Sequence, residues 1–411
     1  MILFIDDINM PLVNEWGDQV TLEIVRQLIE EGGFYMLERL NIGQKKGIQK
    51  LKYLGAMQHP GGGKNDIPNR AKRHFFIFNM VLPASIKQIF GPIIKYHFKE
   101  KYYTQEFNRV VDSLCQATIQ LWNKVQTTML RTPQKFHYVF NMRELSRVFK
   151  GILNVKKEVA QKSLNLQGMK SHIFLIALWK HECERVFVDK LINIKDKNTV
   201  CDYIQEISFE AFSQHEGEIM EQLKPEKEIF FCDFLRLEVI NDEGEIVEAA
   251  PEIYEAIANI DKLRSRVESL MDRYNQENPS KKLELVLFDD ALKHLLRVSR
   301  IIKTERSSAL LVGVGGSGKQ SLTKLASYIG HYQIAQITLT KGYGETQLKE
   351  FIKEFYNWSG HLNQPSTFLL TDSEIRHEYF LEFINMILST GEIPNLIAKD
   401  DRDVWLLNIK T

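Results

Sequence analysis

The chain has 411 residues, 44% hydrophobic and 26% charged, so two or three globular domains with substantial cores are expected. Lysine plus arginine and aspartate plus glutamate both number 53, and this balance excludes a general electrostatic grip on nucleic acid or an acidic membrane. No apolar run reaches the ~18–20 residues of a membrane span, and the opening MILFIDDINMP carries acid where a secretion signal carries base.

The first element, Ile2-Leu3-Phe4-Ile5 followed by Asp6-Asp7, has the pattern of a buried parallel strand ending in acid. In P-loop enzymes such a strand carries the Mg²⁺-organising aspartate, the Walker B element. No strand or phosphate loop precedes it, so the chain is expected to begin inside a domain. Val20, Ile24, Val25, Leu28 and Ile29 then form one helical face, stopped by Gly32-Gly33. Leu51–Met57 reads as a strand. His59-Pro60-Gly61-Gly62-Gly63 reads as a tight turn rather than a second phosphate loop, because no GK(S/T) follows. His74–Val81 (HFFIFNMV) reads as another buried strand.

Residues 84–195 are helical in pattern, and Phe174, Leu178, the Trp179 region and Val186 suggest a long amphipathic helix. His181-Glu182 begins like a zinc motif, but no second histidine follows at the required spacing, so a polar helix face is preferred. The four cysteines, Cys115, Cys183, Cys201 and Cys232, lie far apart without a CxxC and read as reduced, mostly buried thiols of a cytosolic compartment. Residues 196–260 are acid-rich, with an exposed turn expected at Asn241–Gly244, and are read as a connector. Helical spacing returns with Leu263, Val267, Leu270 and Met271 and again over Leu285–Ile302.

Ser308–Val312 is a short apolar run of buried-strand type, and Gly313-Val314-Gly315-Gly316-Ser317-Gly318-Lys319-Gln320-Ser321 follows it. This is a P-loop. Glycines let the backbone wrap phosphate oxygens with its N–H groups, Lys319 reaches the β- and γ-phosphates, and the following helix offers its positive end. Leu322, Leu325, Ala326 and Ile329 recur at helical spacing before Gly330. One position departs from the pattern. The residue after the lysine is normally Ser or Thr, whose hydroxyl holds Mg²⁺; here it is Gln320, with Ser321 next. Binding of ATP or ADP is therefore expected more than hydrolysis. Beyond the loop, strands at Gln333–Leu339 and Thr367–Leu370 alternate with helices at Thr346–Trp358 and Tyr379–Leu388, the α/β order of a parallel sheet. The second strand ends in Thr371-Asp372-Ser373-Glu374, repeating the acid-ended strand at Asp6.

ILFIDDINMP, GAMQHPGGGKNDIPNRAKRHF, KFHYVFNMRELSRVFKGIL, LWKHECERVFVDKL and LLVGVGGSGKQSLTKLASYI together resemble a dynein heavy chain of the axonemal branch. They look like the stretch from the Walker B strand of the third AAA+ module to the middle of the fourth. The final stretch, Val404–Thr411, does not share the resemblance. The implied fold class is α/β: P-loop AAA+ modules, each a parallel sheet with flanking helices, plus a helical lid. The expected division is 1–83, the C-terminal part of the third large subdomain; 84–195, its helical lid; 196–260, the connector; and 261–411, the first part of the fourth module.

The resemblance also implies roles. In the third module Asp6 organises Mg²⁺ and Asp7 stands where the water-polarising glutamate usually is, one methylene short. Gln58 matches sensor one, Arg70 and Arg73 the arginine-finger region that acts in trans, and Arg143 sensor two. From the residues alone, a solvated loop is the preferred reading of Arg70 and Arg73, and Arg143 reads equally as a helix-surface salt-bridge partner. In the fourth module Asp372 is the Mg²⁺ acid, with Gln320 and Ser321 nearest the metal. Ser373 replaces the catalytic glutamate, and Glu374 follows one residue later with its side chain expected to leave in another direction. The expected cofactors are ATP or ADP and Mg²⁺. The expected partners are the rest of the heavy-chain ring and, through the parent complex, microtubules and dynein intermediate and light chains, in the cytoplasm, cytoskeleton and ciliary axoneme. The chain alone is expected to be inactive as an ATPase. A related non-motor AAA+ remodeller and a non-catalytic nucleotide-binding or scaffold piece are the alternatives.

Overall fold

The computed structural model describes residues 1–38, 40–60, 64–79, 85–98, 104–155, 170–223, 229–237, 239–240, 246–248, 250–257 and 259–410. It divides into two units, Met1–Ile86 with Arg131–His137, and Lys87–Leu130 with Tyr138–Thr411. Gly61–Gly63 and the turn expected at Asn241–Gly244 lie outside the described residues.

In the first unit, β1 (Ile2–Ile5) is followed by α1 (Val20–Glu31), the hairpin strands β2 (Gly33–Tyr35) and β3 (Lys45–Gly47), β4 (Lys52–Gly55) and the short α2 (Asn69–Lys72). β1 and β4 pair in parallel, Ile2 opposite Lys52 through Ile5 opposite Gly55. Gly32 ends α1 in the left-handed region at φ 63°, which costs a residue without Cβ nothing. The core is small: Ile8, Leu22, Ile67 and Ala71 are buried against Ile5, Val25 and Phe75. The strand expected at His74–Val81 does not form in its described part, and Phe76, Ile77 and Phe78 are exposed. An apolar run becomes a buried strand only when a neighbour pairs with it and a layer covers it. Among the described residues, this unit's parallel sheet consists of β1 and β4.

The second unit takes in all but the first two residues of α3 (Ser85–His97), then α4 (Gln105–Thr128), α5 (Met142–Leu153), α6 (Ser171–Cys183), α7 (Ile194–Ala211) and α8 (Glu216–Gln222). Thr104 caps α4 by accepting from the Phe107 N–H, and Asn141 and Glu144 close a capping box on α5. α6 is not the amphipathic helix its spacing suggests: every residue from Ser171 to Cys183 except Lys180 is buried. A helix apolar all round sits at the centre of its bundle. Trp179, fully buried, donates its indole N–H to the Thr118 hydroxyl at 2.9 Å. α7 packs against α4, and α6 contacts both α7 and α8. The acid-rich stretch read as a connector thus begins as two helices of this bundle, whose charges are spent on their outer faces.

Antiparallel pairs follow: β5 (Phe231–Cys232) with β8 (Glu255–Ala256), and between them β6 (Val239–Ile240) with β7 (Ile246–Glu248). α9 (Ile260–Glu277), α10 (Asp289–Lys303) and α11 (Lys319–Ile329) then share one core, in which Leu263, Val267, Leu292, Leu295, Leu325 and Ala326 are buried. The rest of the chain is β9 (Gln333–Gln336), α12 (Glu345–Tyr356), β10 (Ser366–Leu369), α13 (Tyr379–Ser389) and α14 (Lys399–Lys410). β9 and β10 pair in parallel, Ser366 opposite Gln333 through Leu369 opposite Gln336, and α11 packs on both. The strand expected at Ser308–Val312 is irregular, with Leu310 and Val312 exposed.

His181 and Glu182 are not a polar face, because both are buried. Arg300 of α10 closes on the Glu182 carboxylate through two nitrogens, and the Tyr254 hydroxyl donates to Glu182 Oε1 at 2.8 Å. Burial pushes the Arg300 guanidinium down, but the Glu182 carboxylate more than offsets this and holds it above its usual range. Burial likewise drives the His181 imidazole well down, so it stays neutral. The Glu182–Arg300 pair ties the helical bundle to α10, the helix just before the P-loop. Gly151 is required beside it, since a Cβ there would collide with the Glu182 carboxylate. Cys115, Cys183 and Cys232 are buried free thiols, and Cys201 is half-buried. Among the described residues no helix is long and apolar enough to cross a membrane.

Candidate nucleotide site and its relatives

The P-loop closes on itself at the start of α11. Gly316 and Gly318 adopt left-handed φ values of 77° and 74°, the conformations that a loop wrapping a phosphate needs and other residues resist. Lys319 folds its ammonium back over the loop, donating to the Gly313 carbonyl at 2.8 Å, the Val314 carbonyl at 2.7 Å and Ser317 Oγ at 3.3 Å. Leu322 N donates to the Gly318 carbonyl at 2.8 Å, so helical bonding starts directly behind the loop. The early N–H groups of α11 have no helical partner and face the loop end, which makes an anion site. Gln320 is exposed and Ser321 half-buried in this first turn.

At the end of β10, Asp372 is exposed and begins a 3-10 turn that ends at Glu374. Glu374 is buried and fully engaged: Oε1 accepts from Gln336 Nε2 at 2.8 Å, and Oε2 accepts from the Thr371 N–H at 2.8 Å. Its carboxylate ties β9 to β10. The Ser373 hydroxyl lies 3.0 Å from that of Thr371.

In the first unit, the parallel register of β1 and β4 brings the acid after β1 beside the end of β4. Ile8 N donates to the Ala56 carbonyl at 3.0 Å, and the Asn9 amide donates to the Gln58 carbonyl at 3.1 Å. Asp6, Asp7 and Gln58 therefore share the carboxyl end of adjacent parallel strands, where open α/β sheets place their ligands. Asp7 takes a left-handed φ of 49° and pairs with Lys64 at 3.0 Å. Arg70 forms a fork on Glu23, 3.0 Å from Oε1 and 2.6 Å from Oε2, and Arg73 pairs with Glu30. The hydrogen bond from Arg70 holds the Glu23 carboxyl below its ordinary range, and Arg73 does the same for Glu30. Both arginine side chains are at least half exposed, and solvent-screened pairs of this kind open at little cost. Arg143 is exposed at the start of α5, in the second unit.

Three known sequence families match this chain. Residues 283–410 match the "P-loop containing dynein motor region D4", residues 1–83 the "P-loop containing dynein motor region", and residues 114–222 the "AAA+ lid domain". The "Dynein gamma chain, flagellar outer arm" of Chlamydomonas reinhardtii is 45% identical over 424 aligned residues, covering 100% of this chain and 9% of that protein. The mouse "Dynein axonemal heavy chain 5" is 43% identical, covering 98% of this chain and 8% of that protein. The human "Dynein axonemal heavy chain 8" is 42% identical, covering 98% and 9%. The chain belongs to the axonemal dynein heavy chain family. It spans less than a tenth of the length of these relatives.

The D4 match contains the whole P-loop together with Asp372 and Glu374, and it runs through Val404–Lys410, so the family likeness extends further than the resemblance of the motifs implies. The first dynein match contains Asp6, Asp7, Gln58, Arg70 and Arg73, and the lid match contains Arg143. Asn9, Lys64 and Gln336 were missed by sequence reasoning. Asn9 lies four residues after β1, Lys64 follows Gly63 and Gln336 ends β9, and only the paired strands reveal their partners.

Proposed function

We propose that this chain is the part of an axonemal dynein ring that holds nucleotide at the fourth-module P-loop in a regulatory role. ATP or ADP sits on Gly313–Ser321, with its phosphates replacing the loop carbonyls as partners of Lys319. Mg²⁺ is held by Asp372 with weak help from Gln320 and Ser321. Asp6, Asp7 and Gln58 belong to a third-module site, Arg143 acts as its sensor, and Arg70 and Arg73 leave Glu23 and Glu30 to serve the nucleotide of a preceding module. In the parent complex the ring drives movement along microtubules in the axoneme of cilia or flagella, with intermediate and light chains attached. The names of the relatives, flagellar and axonemal, support that setting.

The observation that carries this reading is the Glu374 carboxylate. It is occupied by Gln336 and Thr371, and Ser373 stands in the neighbouring position, so no free carboxylate follows Asp372 to polarise water. The metal-side test is the double change Gln320→Thr with Ser373→Glu in the full-length motor. Site-resolved turnover at the fourth module should rise more than the sum of the single changes, because metal placement and water activation act together. If Ser373→Glu alone delivers the full gain, Gln320 is not a defect. If neither changes turnover, the site is silenced by something else.

A further inference from the structure

We propose that His172, His215 and Glu218 form a binding site for one divalent transition-metal ion of the zinc class on the lid bundle. His172 is the second residue of α6, His215 ends the 3-10 turn Ser213–His215, and Glu218 lies in the first turn of α8. Two chain segments, the start of α6 and the turn that runs into α8, thus deliver the three ligand atoms, which all lie within 4.8 Å of one another. His172 is 2% exposed, and its Nε2 lies 2.8 Å from Glu218 Oε2. The His215 ring leans over it, with centroids 4.3 Å apart and planes at 35°.

An ion pair between His172 and Glu218 would need only two of these groups. The second imidazole gains nothing from it, and a charged His172 would repel a charged His215. A shared cation gives all three a partner. Ligand atoms around a tetrahedral zinc ion at about 2.1 Å stand about 3.4 Å apart, so the cluster needs a small inward shift of His215 and a small parting of His172 and Glu218. Two imidazoles and one carboxylate favour zinc-class ions over Mg²⁺ or Ca²⁺, which prefer all-oxygen shells. The surroundings match a metal-binding histidine. The other nitrogen of His172, Nδ1, faces Glu106 Oε2 at 3.4 Å, the carboxylate support that commonly orients such a ring. Lys170 takes the other oxygen of Glu218, at 2.5 Å, and leaves Oε2 for the ion. Two carboxylates against one ammonium leave the pocket with a net negative charge to offset the cation. Bound there, the ion would fasten the end of α7 and the start of α8 to the buried α6.

The test uses the whole 411-residue chain, stripped with a chelator and titrated with Zn²⁺ alone and, for spectroscopy, with Co²⁺. One equivalent should bind, the unfolding midpoint should rise with Zn²⁺, and Co²⁺ should show visible d–d bands without a thiolate charge-transfer band. His215→Ala and Glu218→Gln should each weaken binding by about tenfold or more, and Glu106→Gln by about tenfold through the orientation of His172. The midpoint of each metal-free variant, compared with that of the metal-free parent, separates loss of ligand from loss of fold. Zn²⁺ binding unchanged in the His215→Ala, Glu218→Gln double variant would overturn the proposal, as would a thiolate band or no uptake at micromolar Zn²⁺.

Discussion

Lys319→Ala is expected to weaken ADP binding by this chain about 100-fold or more. A hydrogen bond between charged groups contributes about 1.5–3 kcal/mol, and the lysine should make at least one to a β-phosphate oxygen while neutralising its charge. In the structure its three hydrogens already have acceptors, two of them main-chain carbonyls of the loop. Those bonds keep the loop wrapped before phosphate arrives, so the alanine variant loses both the direct contact and the preorganisation. Lys319→Arg should recover little, because a planar guanidinium cannot sit in the narrow arc that accepts a compact ammonium. Fluorescent ADP titrated into each variant provides the check. Binding within threefold of the parent in Lys319→Ala would exclude Gly313–Ser321 as the site.

The second large effect concerns stability. Glu182→Ala should cost about 3–5 kcal/mol in urea unfolding, because it leaves the Arg300 guanidinium buried without its partner. Glu182 is 0% exposed and its partner's side chain 15%, so water cannot replace the lost carboxylate. The Tyr254 hydroxyl is stranded by the same change. Glu182→Met combined with Arg300→Leu should cost much less than the sum of the single changes, and a double-mutant cycle would isolate the coupling. A cost under about 1 kcal/mol for Glu182→Ala would mean that the pair is hydrated in solution and does not lock the bundle to α10.

How legible these features were follows from the range of the physics involved. Gly313–Ser321 could be read directly because phosphate binding dictates residue types at consecutive positions. Gly32 as a helix stop, and the two acid-ended parallel strands, were legible for the same local reason. α6 was misread because Phe174, Leu178 and Val186 fit one face of a helix, while the burial of the other faces depends on α4, α5 and α7. His181-Glu182 looked like surface because its partners, Tyr254 and Arg300, are distant in sequence. The same distance hid the convergence of His172 with Glu218. His74–Val81 illustrates the reverse failure: an apolar run announces that burial is wanted, but the covering layer must come from elsewhere. The side chain of Glu374 was expected to turn from the direction of a catalytic glutamate. Its destination, Gln336, could only come from the register of β9 with β10.

The central claim is that this chain binds nucleotide at a dynein fourth-module loop without turning it over. Steady-state phosphate release from ATP·Mg²⁺, measured over a concentration series at nucleotide levels that saturate binding, tests it most directly. Phosphoryl transfer needs a water-polarising carboxylate beside the phosphate-binding lysine and the Mg²⁺ acid, and here Ser373 follows Asp372 while the Glu374 carboxylate is engaged by Gln336 and Thr371. The account predicts release at the buffer rate at every protein concentration. A rate that scales with protein and disappears in Lys319→Ala would contradict it, and would show that the fourth-module site hydrolyses ATP with the groups it has.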